Sequence, residues 1–263
     1  MSEALGGTED SRHAYPTCPG IENKPVSKND VLLSGLENLE SDLPAFSAWL
    51  FSHVEGQLGQ TVLDAGAGVG TYSRLILESG RQTVALEPDQ GICAELVRRL
   101  GNADGFRLLA GDLADPGTVA RAQEAGVDSA ICLNVLEHIR DDRRALHHLQ
   151  AILPAGGTLA LLVPAHPILF NSIDRAVGHF RRYRKNELVA KIEEAGLAIE
   201  RLVYFNFFAI PGWILSGHVL RRKVASRTGT RLFDGLVPLF KMIEKPVLRG
   251  RLGISLVALC RRP

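Results

Sequence analysis

The chain has 263 residues, of which 46% are hydrophobic, and it carries a formal net charge of +1. This length and apolar content allow one large domain with its own core, or one domain with a small cap. A net charge this close to zero argues against a dedicated nucleic-acid-binding protein. The cysteines show no metal-binding spacing, and we interpret them as reduced thiols of a cytoplasmic protein; they are Cys18, Cys93, Cys132 and Cys260.

The first 40 residues are predicted to form an N-terminal arm or lid. They begin with a polar, acidic segment that has no apolar signal core. Few apolar residues follow, and Pro, Gly, Ser and Asn are frequent, which favours an extended or partly disordered arm.

An apolar strand that ends in Asp64 opens into a turn with glycine at every second position, at Gly66, Gly68 and Gly70. Glycine lets the backbone approach a ligand where a Cβ atom would clash. Ligands of open α/β sheets bind beyond the carboxyl ends of the strands. A dinucleotide fingerprint would need glycine at position 71, which is Thr71. The spacing therefore favours a different nucleoside ligand, with a purely structural turn as the alternative.

Four further strands alternate with helices after this turn. The second strand runs from Gln82 to Glu87, and a carboxylate at this position can accept hydrogen bonds from both ribose hydroxyls. The other strands are predicted at 106–112, from 128 onwards and at 158–163, with helices at about 70–79, 89–100, 115–124 and 141–151. This alternation predicts a parallel sheet with helices on both faces.

Five motifs in this order resemble those of the class I S-adenosylmethionine-dependent methyltransferases. The resemblance covers residues 60–165 and rests on Asp64-x-Gly-x-Gly-x-Gly70, Glu87, Gly111-Asp112, Asn134-Val-Leu-Glu-His138 and Pro154-Ala-Gly-Gly157. It implies S-adenosylmethionine as the cofactor and S-adenosylhomocysteine as its product. It also implies a Rossmann-like α/β fold, with a seven-stranded, mostly parallel sheet whose last strand is antiparallel.

The same resemblance implies which residues bind the cofactor. The turn from Gly66 to Gly70 would surround the methionine part, Glu87 would hold the ribose, and Asp112 would face the adenine. The full set of implied cofactor-binding residues is Asp64, Ala65, Gly66, Gly68, Gly70, Tyr72, Glu87, Pro88, Gly111, Asp112, Leu113, Asn134 and Val135.

The chain beyond the fifth strand resembles a bacterial subgroup of these methyltransferases that often accompanies glycosyltransferases or natural-product pathways. The matching segments are Pro164-Ala-His166-Pro, Asp174-Arg-Ala-Val-Gly-His179-Phe-Arg-Arg-Tyr183, Tyr204-Phe-Asn-Phe207, Leu232-Phe-Asp-Gly-Leu-Val-Pro238 and Gly253-Ile-Ser-Leu256. The substrates of the subgroup are mostly undefined, so the resemblance implies little about the acceptor.

Three histidines are predicted to be catalytic. Methyl transfer needs a nucleophile about 3–3.5 Å from the methyl group, and a hydroxyl nucleophile also needs a base such as histidine. His138, His166 and His179 follow strand ends or lie in a loop on the side where the cofactor would bind. Alternatively, prolines fix His166 and His138 supports the following helix.

A basic segment around Tyr183 is predicted to contact the acceptor. The substrate-binding candidates are Asp174, Arg175, Arg181, Arg182, Tyr183 and Tyr204. Arginines can clamp a carboxylate or phosphate through paired hydrogen bonds. The alternative is a solvated loop that pairs with acidic residues. No Cys, His or Asp cluster has convincing metal spacing, so the sequence predicts no metal.

The last quarter of the chain is basic and contains an apolar stretch. From Arg201 onwards there are twelve Lys or Arg and two acidic residues, whereas the first 200 residues carry 18 basic and 27 acidic residues. Between Leu202 and Leu220 there is no Asp, Glu, Lys or Arg and one histidine, His218, and Arg221-Arg-Lys223 follows. The first half is predicted to be the sixth strand. The rest is a cap over the active site, an interfacial membrane helix or, as a third alternative, a transmembrane span.

The predicted organisation has four parts: an arm at 1–40, a cofactor-binding α/β domain at 41–208, a cap or interfacial insertion at 209–250, and a last strand at 251–263. Within that last part, Ile254 to Leu259 is predicted to form the seventh strand, and the family resemblance implies that it is antiparallel and next to the sixth.

The predicted function is methyl transfer from S-adenosylmethionine to a small-molecule acceptor, with oxygen as the favoured atom. The pathway would be natural-product, saccharide or lipid-linked biosynthesis. One alternative is a carboxylate or phosphonate O-methyltransferase with an arginine clamp. Another is a non-catalytic scaffold that binds the cofactor at a membrane or partner enzyme. The expected partners are a small substrate and, through the basic quarter, a membrane surface, but no nucleic acid. The chain is expected to be a monomer or a homodimer.

Overall fold

A computed structural model of the chain describes residues 42–224, 226–244 and 249–263. The predicted arm at 1–40 and Cys18 lie outside these residues. Seven strands form one sheet: β1 (Thr61–Ala65), β2 (Gln82–Glu87), β3 (Phe106–Ala110), β4 (Ser129–Leu133), β5 (Thr158–Pro164), β6 (Ala198–Phe205) and β7 (Ser255–Arg261).

The strand order is β3-β2-β1-β4-β5-β7-β6. The first five strands pair in parallel, whereas β7 is antiparallel to both β5 and β6 and lies between them. This arrangement confirms the predicted Rossmann-like sheet with an antiparallel last strand. The order reverses between β1 and β4, and such a switch point opens a crevice for a ligand at the carboxyl ends of the strands.

The helices of the described residues are α1 (Pro44–Val54), α2 (Thr71–Glu78), α3 (Gln90–Leu100), α4 (Pro116–Glu124), α5 (Asp142–Ile152), α6 (Ser172–Ala176), α7 (Lys185–Glu194), α8 (Ala209–Trp213) and α9 (Arg227–Ile243). Short 3₁₀ turns occur at Glu55–Gln57, Leu136–His138 and Pro167–Leu169, and a π-helical turn at Ile214–Val219 follows α8.

Local sequence explains where three of the crossover helices begin. Asp89, Asp115 and Asp141 precede α3, α4 and α5, and each side chain accepts a hydrogen bond from a backbone N–H of the first helical turn. A carboxylate at this position satisfies a donor that the helix itself leaves unpaired. The predicted boundaries of these helices therefore agree with the observed ones to within about one residue.

The core lies on both faces of the sheet. Alternate residues of β4 point to opposite faces: Ala130 and Cys132 join the cluster that includes α4, α5 and α7, and Ile131 and Leu133 join the cluster that includes α1. Strands buried on both faces have continuous apolar sequences, which is why these strands were recognisable from sequence.

The sixth strand begins earlier than predicted. The apolar stretch places its start at Leu202, but β6 begins at Ala198 and includes the exposed residues Glu200 and Arg201. Because β6 is the last strand at its end of the sheet, charged side chains on it reach solvent. An apolar pattern alone therefore misses its first half.

Described residues of the predicted insertion at 209–250 contact the predicted domain at 41–208 through polar groups. The Glu244 carboxylate accepts hydrogen bonds from the backbone N–H groups of Asn206 and Phe207, at 2.6 and 3.0 Å. The Trp213 indole donates to the carbonyl oxygen of Leu169 at 3.1 Å. Within the described ranges, no helix has the length and apolar character needed to cross a bilayer.

Candidate active site

The glycine-rich turn connects β1 to α2 in a conformation that other residues rarely adopt. Gly66, Gly68 and Gly70 have φ angles of 79°, 54° and 87°. A Cβ atom on Gly66 would lie 2.5 Å from a methyl group of Val135, which follows β4. Glycine is therefore required here both by backbone conformation and by the close approach of the β4 end.

Asp64 ties the end of β1 to the first turn of α2. Its carboxylate is 2% exposed and accepts a hydrogen bond of 2.7 Å from the Ser73 hydroxyl. Burial raises the pKa of Asp64 to about 6. The structure thus gives this predicted cofactor residue a part in holding the glycine turn against α2.

Glu87 ends β2 with its carboxylate beside the turn. One oxygen, Oε2, accepts a hydrogen bond from the Gly68 N–H at 3.0 Å, and Oε1 accepts one from the Asp89 N–H at 3.1 Å. Burial raises the pKa of Glu87. Since a carboxylate offers about four acceptor positions, each oxygen keeps one for another donor. Two such positions on one carboxylate fit the two adjacent hydroxyls of a ribose.

The other predicted cofactor residues follow neighbouring strand ends. The Gly111 N–H donates to the Glu87 carbonyl at 3.0 Å, which holds the end of β3 beside β2. Asp112 is exposed, and Asn134 has a positive φ of 56° where the chain leaves β4. Ala65 and Leu113 are buried, Tyr72 and Val135 are half-buried, and Pro88 is exposed. Together with the turn and Glu87, these positions form one edge of the sheet that fits a nucleoside cofactor.

His166 is held in a defined orientation just beyond β5. Its φ is 60°, its ring stacks on Tyr204 with centroids 5.1 Å apart, and its Nε2 lies 3.0 Å from the Gly253 carbonyl oxygen. A carbonyl oxygen only accepts hydrogen bonds, so Nε2 carries the proton. The Nδ1 atom is therefore left with a lone pair that can accept a proton.

Glu137, His138 and His179 form a second group, here named the Glu137 cluster. The rings of His138 and His179 have centroids 4.6 Å apart, and His179 Nε2 lies 3.8 Å from Glu137 Oε1. Glu137 is fully buried, and burial raises its pKa to about 8. Desolvation of the ring and the neighbouring His179 lower the pKa of His138 to about 4.

Glu137 is a residue that the sequence-based site prediction missed. The available signal was its place in the motif Asn134-Val-Leu-Glu-His138, directly after the apolar pair Val135-Leu136. In the structure, neither carboxylate oxygen accepts a hydrogen bond from another described residue.

Most of the predicted substrate-binding residues make internal contacts. Arg182 donates from Nε to both oxygens of Asp174, at 3.0 and 2.9 Å, and its side chain is 2% exposed. The hydroxyl of the buried Tyr183 donates to Asp142 at 2.9 Å, and Arg181 forms an ion pair with the same carboxylate at 2.7 Å. Charge that is neutralised within the protein is less available to an acidic acceptor.

Arg175 and Tyr204 are the remaining substrate-binding candidates, and both are more exposed to solvent. Arg175 is exposed and lies over the ring of Phe170 at 5.6 Å. Tyr204 is half-buried and presents one ring face to His166.

Comparison with known proteins agrees with this geometry. A family model described as a methyltransferase domain matches residues 37–202. The chain belongs to this methyltransferase family. The class I resemblance drawn from the motifs is thereby confirmed, and with it S-adenosylmethionine as the cofactor.

Two curated relatives illustrate the sequence similarity of this methyltransferase. The ubiquinone biosynthesis O-methyltransferase of Idiomarina loihiensis is 29% identical over 143 residues, which is 54% of this chain and 52% of that protein. The uncharacterized methyltransferase Mb0092 of Mycobacterium bovis is 31% identical over 114 residues, 43% of this chain and 55% of that protein. The similarity thus spans about half the length of these relatives.

Two solved structures illustrate the similarity in fold. An S-adenosylmethionine-dependent methyltransferase from Mesorhizobium loti superposes with a TM-score of 0.56 at 14% identity, covering 81% of this chain and 98% of that one. The 4+2 cyclase SpnF superposes with a TM-score of 0.54 at 15% identity, covering 84% and 80%. At these identities the similarity shows the fold alone.

Proposed function

We propose that this protein transfers the methyl group of S-adenosylmethionine to an oxygen atom of a small-molecule acceptor. The bound cofactor supplies an electrophilic methyl group on its sulfonium. The chain has to hold that cofactor, orient the acceptor and accept the proton of its hydroxyl group. The observation that carries the proposal is that a proton-accepting histidine follows β5, at the same sheet edge as the glycine turn and Glu87.

His166 is the residue we assign to the proton. Its Nε2 is engaged by the Gly253 carbonyl, so Nδ1 is free to accept, and the stacked Tyr204 ring restricts its rotation. A non-glycine residue with positive φ is strained, and such strain is often concentrated at functional sites. A positioned base of this kind typically contributes a factor of about 10²–10⁴ in rate.

An oxygen acceptor is favoured over an acidic one. The acid alternative needs uncompensated arginines, but two of its three candidate arginines are neutralised, Arg182 by Asp174 and Arg181 by Asp142. The name of the relative from Idiomarina loihiensis describes an O-methyltransferase, which supports the same choice. The intact cofactor edge weighs against the non-catalytic scaffold.

Exposed apolar residues on α9 support a lipophilic or lipid-linked acceptor reached at an anionic membrane surface. Leu232, Leu236, Leu239 and Met242 are 66%, 39%, 50% and 74% exposed, and their spacing of three or four residues places them on one helix face. The exposed run Arg221-Arg-Lys223 precedes this helix. An exposed apolar face together with basic residues is typical of an interfacial membrane contact.

The test follows labelled methyl groups and cofactor binding together. Purified protein is incubated with methyl-labelled S-adenosylmethionine and lysate. The reaction mixture is then separated into water-soluble, organic-extractable and macromolecular fractions. Label in the organic fraction is expected. Label in the water-soluble fraction would support a saccharide or small acid instead, and no label with cofactor still bound would favour the scaffold.

Two variants separate the assigned roles. Glu87→Gln should lower cofactor affinity at least tenfold in calorimetry, because an amide offers fewer acceptor positions than a carboxylate. His166→Asn, chosen because Asn tolerates positive φ, should keep cofactor affinity and lower turnover by a factor of about 10²–10⁴. The exposed His147→Asn on α5 is the matched control. Full turnover in His166→Asn would remove that base from the proposal.

A further inference from the structure

The Glu137 cluster contains a buried carboxyl group that accepts no hydrogen bond from the other described residues. Glu137 is fully buried, and both of its oxygens lack a hydrogen bond from any other described residue. Buried polar groups are normally hydrogen-bonded, and a buried carboxylate is usually paired or bound to a metal. One ligand atom from each of Glu137, His138 and His179 lies within 4.8 Å of the others. We propose that these three side chains bind one divalent transition-metal ion.

The donor set indicates the class of ion. Two imidazole nitrogens and one carboxylate oxygen are a ligand set used by zinc in sites that keep a fourth position open. Magnesium and calcium prefer oxygen ligands alone. The cluster therefore fits Zn²⁺ or a neighbouring first-row ion, with an open position for water or an oxygen of a substrate.

A second layer of contacts orients His179 as a ligand. Its Nδ1 lies 2.8 Å from Asp174 Oδ1, and a carboxylate only accepts, so Nδ1 carries the proton and Nε2 keeps its lone pair. Asp174 is itself fixed by Arg182. A carboxylate that holds the second nitrogen of a ligating histidine is a regular feature of metal sites.

Backbone hydrogen bonds hold the distant halves of the cluster together. The Phe180 N–H donates to the Glu137 carbonyl at 2.9 Å, and the His179 N–H donates to the Asp174 carbonyl at 2.9 Å. His138 is exposed, which provides an entry path for an ion. The site is thus preformed by the fold.

The consequence for catalysis rests on the proposed function, whereas metal binding itself does not. Glu137 lies three residues beyond Asn134, one of the residues that the family resemblance implies for cofactor binding. A hydroxyl group coordinated at the open position would lose its proton more readily. The ion would then act on the acceptor, and His166 would accept the proton.

The experiment measures metal binding in the absence of S-adenosylmethionine. The full chain, without an affinity tag, is stripped with a chelator and titrated with Zn²⁺ against a chromophoric chelator, with elemental analysis for stoichiometry. We expect one ion per chain. Glu137→Gln and His179→Asn should each lower the affinity at least tenfold, whereas the exposed His147→Asn should not change it. Co²⁺ should give visible absorption bands in the unmodified protein that Glu137→Gln lacks.

Folding and the proposed function are checked on the same samples. His138→Asn changes an exposed residue and covers the case in which a buried variant fails to fold; Zn²⁺ should raise the Tm of the unmodified protein and not of this variant. Absence of saturable binding, or equal affinities in all variants and the His147 control, would overturn the metal site. Cofactor affinity measured by calorimetry stays intact in that outcome if the proposed function is right.

Discussion

At the scale of single residues, Asp64, at the start of the glycine turn, makes the stability of the folded chain depend on pH. Its carboxyl group is buried, and burial raises its pKa from 3.8 to about 6. The folded chain therefore holds this proton more tightly than the unfolded chain does. Stability from this group is fully present below about pH 4 and is lost as the pH rises to about 6.

We accordingly expect Asp64→Asn to flatten the pH dependence of the free energy of unfolding. The difference between the variant and the unmodified protein should change by up to about 3 kcal/mol between pH 4 and pH 7. Urea unfolding without cofactor measures it. The exposed carboxylate variant Asp104→Asn is the control. Parallel profiles for Asp64→Asn and the unmodified protein would contradict the assignment.

At the scale of elements, α1 depends on a cap from the opposite end of the chain. Its own N-cap residue, Leu43, provides no side-chain hydrogen bond. Instead, Asp234 of α9 accepts from the backbone N–H groups of Ala45 and Phe46, at 3.1 and 2.8 Å. A carboxylate at a helix N-terminus both satisfies these donors and favours the helix dipole.

Removing this cap should destabilise the chain. We expect Asp234→Ala to lower the free energy of unfolding by about 1–2 kcal/mol, because two partly buried backbone donors lose their acceptor. Urea unfolding followed by tryptophan fluorescence is suitable, since Trp49 lies in α1. Exposed Glu78→Ala is the control substitution. An unchanged midpoint in Asp234→Ala would show that α1 does not depend on α9 for its cap.

At the scale of the whole molecule, basic residues and an exposed apolar helix face occur in the same quarter of the chain. Flotation with lipid vesicles tests the proposed membrane contact. The protein should float with anionic vesicles and less with neutral ones, and salt should weaken binding by screening. The double variant Leu232→Ser with Met242→Ser should float several-fold less.

Val97→Ser is the matched control, because Val97 is an exposed apolar residue on α3, on a different helix. If the unmodified protein does not bind either kind of vesicle, or if the double variant floats as well as the control, the contact proposed for α9 is wrong. An acceptor that does not require a membrane would then be the better hypothesis.

The sequence alone determined the sheet domain, its family and its cofactor. These depend on local signals: apolar strands buried on both faces, and glycines where the turn needs positive φ. Each signal lies within a few residues of the element that it specifies. The early start of β6 was missed because an edge strand carries charged residues, which an apolar pattern does not include.

Only the tertiary structure decided how distant polar residues are used. His179 meets Glu137 across about 40 residues of chain, Asp234 caps α1 across nearly 190, and Arg182 is neutralised by Asp174 instead of remaining available to a ligand. No local pattern specifies such pairs, because their energies arise from burial and hydrogen bonding that exist only once the elements have packed. The glycine turn could therefore be predicted from the sequence, whereas the Glu137 cluster could not.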